Sequence, residues 1–155
     1  MTQLIRGEGM GREGVVQVGC CAVIFDEERE KVLLTRRADN GEWCLPGGHM
    51  EPGETVVGAC QREVLEETSL AVRVLRLVGV YSNSDLLTVY SDGHKVQLVA
   101  LCFEAEITAG TPALSNEVLD IGYFSPTEMD DMPMFGRHRE RVDDAFRRDA
   151  SCILV

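Results

Sequence analysis

The sequence predicts an α/β sandwich, a mixed β-sheet flanked by about two main helices, and three observations carry that expectation. Long β-branched apolar runs, VVQVGCCAVIF at residues 15–25 and KVQLVALCFEAEI at 95–107, suit buried strands. A segment opened by Thr55 and running to about Thr68 repeats apolar residues at helical spacing, with Thr55 as its cap. A third stretch, GRHRERVDDAFRRD at 136–149, has the charge pattern of a surface helix with Val142, Ala145 and Phe146 turned inward. With 155 residues and 45% hydrophobic composition, the chain is long enough for one domain with a real core and short for two of ordinary size.

Taken in order, residues 1–14 are glycine-rich with scattered charge and read as a flexible lead-in to a domain over 15–150, with 151–155 as a tail. The polar turn DEERE (26–30) joins the first long strand to KVLLTRR (31–37), and the pair suggests a hairpin. ADNGEW is a loop, and Pro46, Gly47 and Gly48 punctuate the chain before the helix. After it, AVRVLRLVGVY (71–81) alternates like a strand, Asp92 and Gly93 make a turn, and the long strand at 95–107 follows. A Gly/Pro loop at 110–112 leads to a short strand, IGYFS (121–125), and SPTEMDDM is a turn or one helical turn before the last helix.

Composition narrows the partners. Fifteen Lys and Arg stand against 26 Asp and Glu, a formal charge of -11, so the surface repels a nucleic-acid backbone and long nucleic acid is not an expected partner. No apolar run reaches membrane-spanning length, and the N-terminus lacks the apolar region of a signal peptide, so a cytoplasmic protein with no membrane association is expected. Six cysteines form no CxxC pair and mostly sit in apolar runs, where they read as reduced core thiols.

The unusual stretch is GGHMEPGETVVGACQREVLEETSL, residues 47–70. Glu63, Glu66 and Glu67 fall on an arc of roughly 100° of the helix, at its C-terminal end. There the macrodipole disfavours acids and like charges repel, together costing the helix about 1 to 2 kcal/mol. Arg62 is one positive charge against three negative ones. A hard divalent cation that takes carboxylates and substrate phosphates, Mg²⁺ above all, offsets the loss better. Read alone, E-x-x-E-E is also what a solvated acidic helix face looks like; Gly47 and Gly48, which allow close backbone approach beside the same helix, favour the cation.

With those residues in view, the segment resembles the Nudix box, G-x5-E-x7-R-E-U-x-E-E-x-G-U, where U is a bulky aliphatic. Gly48, Glu54, Arg62, Glu63, Val64, Glu66, Glu67 and Leu70 match, and Ser69 replaces the second glycine. That glycine usually follows the helix in a left-handed conformation, so Ser69 bears on stability rather than chemistry. The resemblance implies a Nudix-like α/β/α sandwich and a Mg²⁺-dependent pyrophosphohydrolase, Mn²⁺ substituting, that cleaves a nucleoside diphosphate linked to another moiety. ADP-ribose or a nucleotide sugar is favoured as substrate, with nucleoside triphosphates open. It further implies Glu66 and Glu67 as main metal ligands, Glu63 as a further ligand or the base, and the Gly47 carbonyl completing the site. Glu54 and Arg62 would hold the loop against the helix, Gly48 would let the substrate approach, and Arg37 would contact phosphate, with a solvated strand-end arginine as the plain alternative. Glu117 stands where the family brings a late acid, as ligand or base, or else is a solvent-facing loop acid. A homodimer is a further implication. A nucleotide-binding sensor domain without turnover is the rival from another class.

The remaining candidates are structural. Trp43 is expected to pack under the glycine loop, and Tyr81, Tyr90 and Phe135 read as core before they read as a base-stacking surface. His49, His94 and His138 lack metal-ligand spacing and read as surface residues, with His49 the one placed to approach phosphates.

Overall fold

The spine of the protein is a strand long enough to hold neighbours on both edges. In this computed structural model, which describes residues 2–148 and 151–155, the strand is β8 (Lys95–Ala109). Asp149 and Ala150, the end of the expected last helix and of the expected 15–150 domain, lie outside the described residues. One edge of β8 pairs in parallel with β2 (Val15–Ile24), from Val15 opposite Val96 to Ile24 opposite Ala105. The other edge pairs antiparallel with β6 (Ala71–Ser82), through three register shifts, and with β7 (Leu86–Val89). β1 (Gln3–Arg6) extends the sheet beyond β7, and β5 (Gly47–His49) closes it on the free edge of β2. A second sheet of three strands places β3 (Val32–Arg37) between β4 (Trp43–Cys44) and β9 (Val118–Phe124).

Alternation along β2 explains the layers. Cys20, Ala22 and Ile24 pack with Ala59, Cys60 and Val64 of α1 (Val56–Thr68), while Cys21 and Val23 point the other way. That second face meets Val142 and Ala145 of a helix that runs His138–Arg147, preceded by the single turn α2 (Pro126–Met129); the longer helix is α3. Successive strand residues face opposite sides, so a strand apolar throughout needs cover on both. The result is the expected α/β/α sandwich with a mixed sheet and two main helices.

Helix ends follow local chemistry. Thr55 Oγ1 accepts from the Gly58 amide at 3.0 Å, and Ser125 with Glu128 forms a reciprocal capping box on α2. Ser69 holds φ 61°, the left-handed conformation, and its amide donates to the Leu65 carbonyl.

Four expectations are corrected. β2 and β3 form no hairpin: both edges of β2 are taken by β8 and β5, so β3 passes into the other sheet and only a bridge from Phe25 to Val32 links the two. The lead-in is in part an edge strand, because β7 leaves an unpaired edge that β1 fills. In the tail, β10 (Ile153–Leu154) pairs in parallel with Gly79 and Val80 on the outer edge of β6. The five cysteines at 20, 21, 44, 60 and 102 are buried and unbridged, while Cys152 is exposed rather than in the core.

Candidate active site

Between the N-terminal half of β2, the glycine turn and the acidic end of α1 lies a cleft of about 500 Å³, lined among others by Gly47, Gly48, Glu63, Glu67, Glu117, Arg37 and Tyr90. Glycine is required twice at its rim. A side chain on Gly47, at φ 153°, would overlap the Cys20 carbonyl, and one on Gly48 would overlap the Glu63 carboxylate. The loop can therefore lie flat on the helix, and the Gly47 amide donates to Glu67 Oε2 at 2.9 Å.

Arg62 fastens that loop. Its guanidinium donates to both oxygens of Glu54, at 2.6 and 3.1 Å, to the His49 carbonyl at 2.9 Å, to Glu63 at 3.0 Å and to Glu66 at 2.9 Å. Glu54 in turn receives the Glu51 amide, and its carboxyl is held below its ordinary range by Arg62. One cation thus serves three acids, and Glu67 is left to a backbone amide. Burial pushes the Glu67 carboxyl up to about 7 against the pull of that amide, and raises Glu63 as well, against Arg62. Glu66 is the most open of the set, its side chain 58% exposed.

Arg37, Glu117 and Tyr90 line the same cleft. Arg37, at the end of β3, is clasped by Asp39 through two bonds of 2.9 and 2.8 Å and lies 4.4 Å from the centre of the Phe135 ring. The clasp holds the Asp39 carboxyl down at about 2. Arg36 points away and donates to the Gly41 carbonyl, so the strand's alternation separates the two arginines. Glu117, exposed, lines the cleft beside Glu63 and Glu67, and its carbonyl receives the Ala38 amide. Tyr90 OH lies 3.0 Å from His49 Nε2.

The floor is formed by α3. Arg141 is only 6% exposed, and His138 accepts the Leu45 amide on Nδ1 at 3.0 Å. Two buried atoms in the cleft lining, Gln17 Oε1 and Arg141 Nε, lack any hydrogen-bond partner among the described residues.

Among the described residues no three metal-binding side chains stand close enough to enclose an ion as they are, because Arg62 spans Glu63 and Glu66 and the Gly47 amide engages Glu67. The chemistry of the donors fits a hard cation nonetheless. The acids and the Gly47 backbone offer oxygen, and Cys20 and Cys44 nearby are kept as thiols, pushed up to about 11 and 12 by burial.

The NUDIX domain family model matches residues 15–146. The chain belongs to the NUDIX domain family. A "MutT-like protein" of Streptomyces ambofaciens is 36% identical over 108 residues, 70% of this chain and 64% of that protein. An "ADP-ribose pyrophosphatase" of Methanocaldococcus jannaschii is 39% identical over 100 residues, 61% of this chain and 57% of that protein. The chain therefore spans under two thirds of the length of these relatives. Among solved structures, a NUDIX hydrolase from Nitrosomonas europaea superposes with a TM-score of 0.72 at 25% identity, covering 86% of this chain and 90% of that one.

Within this NUDIX domain several assignments change. His49 and His138 line the cleft rather than the outer surface, because β5 and the N-terminus of α3 turn them inward. Tyr90 and Phe135 are cleft residues too, whereas Tyr81 is core, donating to Asp144 at 2.9 Å. Trp43 packs edge-on against Phe124, 4.7 Å between ring centres, in the β4–β3–β9 sheet rather than under the glycine loop. Arg141 gave no sequence signal, since one arginine in a highly charged helix looks like its solvated neighbours.

Proposed function

We propose that the protein is a Mg²⁺-dependent pyrophosphohydrolase, Mn²⁺ substituting, that cleaves a nucleoside diphosphate linked to another moiety and releases a nucleoside monophosphate. The observation that carries this is the excess of carboxylates over cations at the cleft: Glu63 and Glu67 line it, Arg62 bridges Glu63 to the more open Glu66, Glu67 has a backbone amide in place of a cation, and burial already drives Glu67 towards its neutral form. A pure binder has no use for acids that destabilise the helix bearing them.

Glu66 and Glu67, with Glu63 and the Gly47 carbonyl, would hold the ion. When bound, Mg²⁺ neutralises charge on the phosphoryl oxygens and lowers the pKa of attacking water. Glu63 or Glu117, both lining the cleft, would serve as the base towards an attacking water. Arg37, pre-oriented by Asp39, stabilises charge on the diphosphate. Arg62 acts through others, fixing Glu54, the His49 carbonyl and two of the acids in one array. The name carried by the M. jannaschii relative supports ADP-ribose as the substrate, with a nucleotide sugar or a nucleoside triphosphate as the alternatives.

A nucleotide panel assayed with and without Mg²⁺, and repeated on Glu66→Gln, tests this. Turnover should require the metal and fall by more than about a hundredfold in the variant, beyond what losing an outer-shell partner costs. Tight nucleotide binding with no turnover anywhere on the panel would make the protein a sensor instead.

A further inference from the structure

Charge is balanced differently on the cleft floor than on its acidic rim. Arg141 is buried, and among the described residues no carboxylate pairs with it. Its neighbours on α3 are engaged elsewhere: Asp144 receives Tyr81 and Arg147, and Glu140 receives Arg137. Nη1 donates to Cys21 Sγ at 3.6 Å, a weak acceptor, the guanidinium lies 5.3 Å from the centre of the Tyr81 ring, and Nε has no partner among the described residues. A buried guanidinium left this way destabilises the fold unless a ligand completes it.

His138 sharpens the point. Because the Leu45 amide donates to Nδ1, the neutral imidazole carries its proton on Nε2. That Nε2 lies 3.4 Å from Arg141 Nη1, and a guanidinium can only donate. Two donors therefore face each other, unable to satisfy one another, on the floor of the cleft that holds Glu63, Glu67 and Arg37.

We propose that Arg141 and His138 form the base-reading end of the cleft and take the adjacent acceptors of an oxopurine, O6 and N7. The site would then prefer guanine-type nucleotides to adenine-type ones. A guanidinium fork matches that acceptor pair, whereas the adenine amino group would set donor against donor. A phosphate would bring about two negative charges to one cation beside a neutral imidazole, and Arg37 and the acidic rim already serve phosphate. Phe135, its ring 6.0 Å from that of His138, adds an apolar surface beside the donors. The inference rests on the proposed function only in taking a nucleotide as the ligand; within that class it turns the preference from ADP-ribose to a guanosine diphosphate compound.

Calorimetry on the intact chain without Mg²⁺, using GMP, 7-deaza-GMP, AMP and inorganic phosphate, reads the site without turnover. GMP should bind roughly tenfold to a hundredfold more tightly than AMP, with 7-deaza-GMP between them. Arg141→Lys, which keeps the charge and loses the fork, should bring GMP down to the level of AMP; analogue binding to the unaltered chain serves even where that variant misfolds. Equal affinities for the three nucleotides, or no GMP binding, overturn the proposal. So does phosphate binding that Arg141→Lys weakens as much as GMP binding. A preference for GMP that persists where no substrate turns over with Mg²⁺ would sink the hydrolase function and leave this site supported.

Discussion

The two helices that flank the sheet each bring charge into one cleft, and they leave it unbalanced in opposite senses. The end of α1 sets Glu63, Glu66 and Glu67 against one cation, Arg62, which reaches two of them, partly open to solvent, while α3 buries Arg141 with no carboxylate opposite among the described residues. Elsewhere this chain pairs its buried charge: Glu104, 6% exposed, receives both Arg29 at 2.6 Å and Arg76 at 2.8 Å, and its carboxyl is held low by them. The contrast teaches that imbalance here is local and belongs to the cleft.

The largest effect expected from breaking the acidic side is on turnover. Glu67→Gln should lower Mg²⁺-dependent hydrolysis by more than about a hundredfold while leaving the fold intact, since the amide can still accept from Gly47. Retained activity in that variant would remove Glu67 from the site. Stability then separates the two helices. Arg62→Met, which strands several acids, should cost about 2 kcal/mol or more in urea unfolding, whereas Arg141→Met should leave stability unchanged or raised, because it deletes a buried cation that no carboxylate balances among the described residues. A loss of more than about 1 kcal/mol at Arg141 would mean that the guanidinium is satisfied after all.

A smaller effect follows from pH. Glu67 titrates near 4.5 when unfolded and at about 7 when folded, so the folded state favours its neutral form. That contribution is complete below pH 4.5 and is lost as pH rises towards 7 and beyond. The metal-free protein should therefore lose about 1 to 3 kcal/mol of stability between pH 5 and pH 8 from this group. Unfolding curves across that window, with Glu67→Gln as the control, would expose the slope; equal slopes in both proteins would refute the assignment. The smallest effect concerns the turn that ends α1. Ser69→Gly relieves a side chain at φ 61° and should stabilise the protein by roughly 1 kcal/mol, seen as a higher Tm with unchanged turnover.

Much of the acidic side was readable in advance because it is local. The span of α1, its Thr55 cap and the shared face of three glutamates follow from spacing within about four turns of chain, and the left-handed turn at Ser69 from the resemblance to the Nudix box. The floor was not readable. Arg141 and Asp144 sit among charged residues whose pattern suggests a solvated face, and their burial arises because α3 lies over Cys21 and Tyr81, far away in sequence. The mistaken hairpin has the same origin: adjacency along the chain suggested that β2 and β3 pair, and competition from β8 and β5 for the edges of β2 decided otherwise.

By itself, then, the sequence determined the sandwich class, the helix that carries the acids and the family to which the chain belongs, since periodicity, caps and fixed spacing are short-range constraints. Only the tertiary structure decided which edge each strand would take, that Arg37 and Glu117 would meet the acidic helix, and that one arginine of α3 would be buried facing them. Those outcomes depend on which distant surfaces exclude water together, a property of the packed whole that no local pattern encodes.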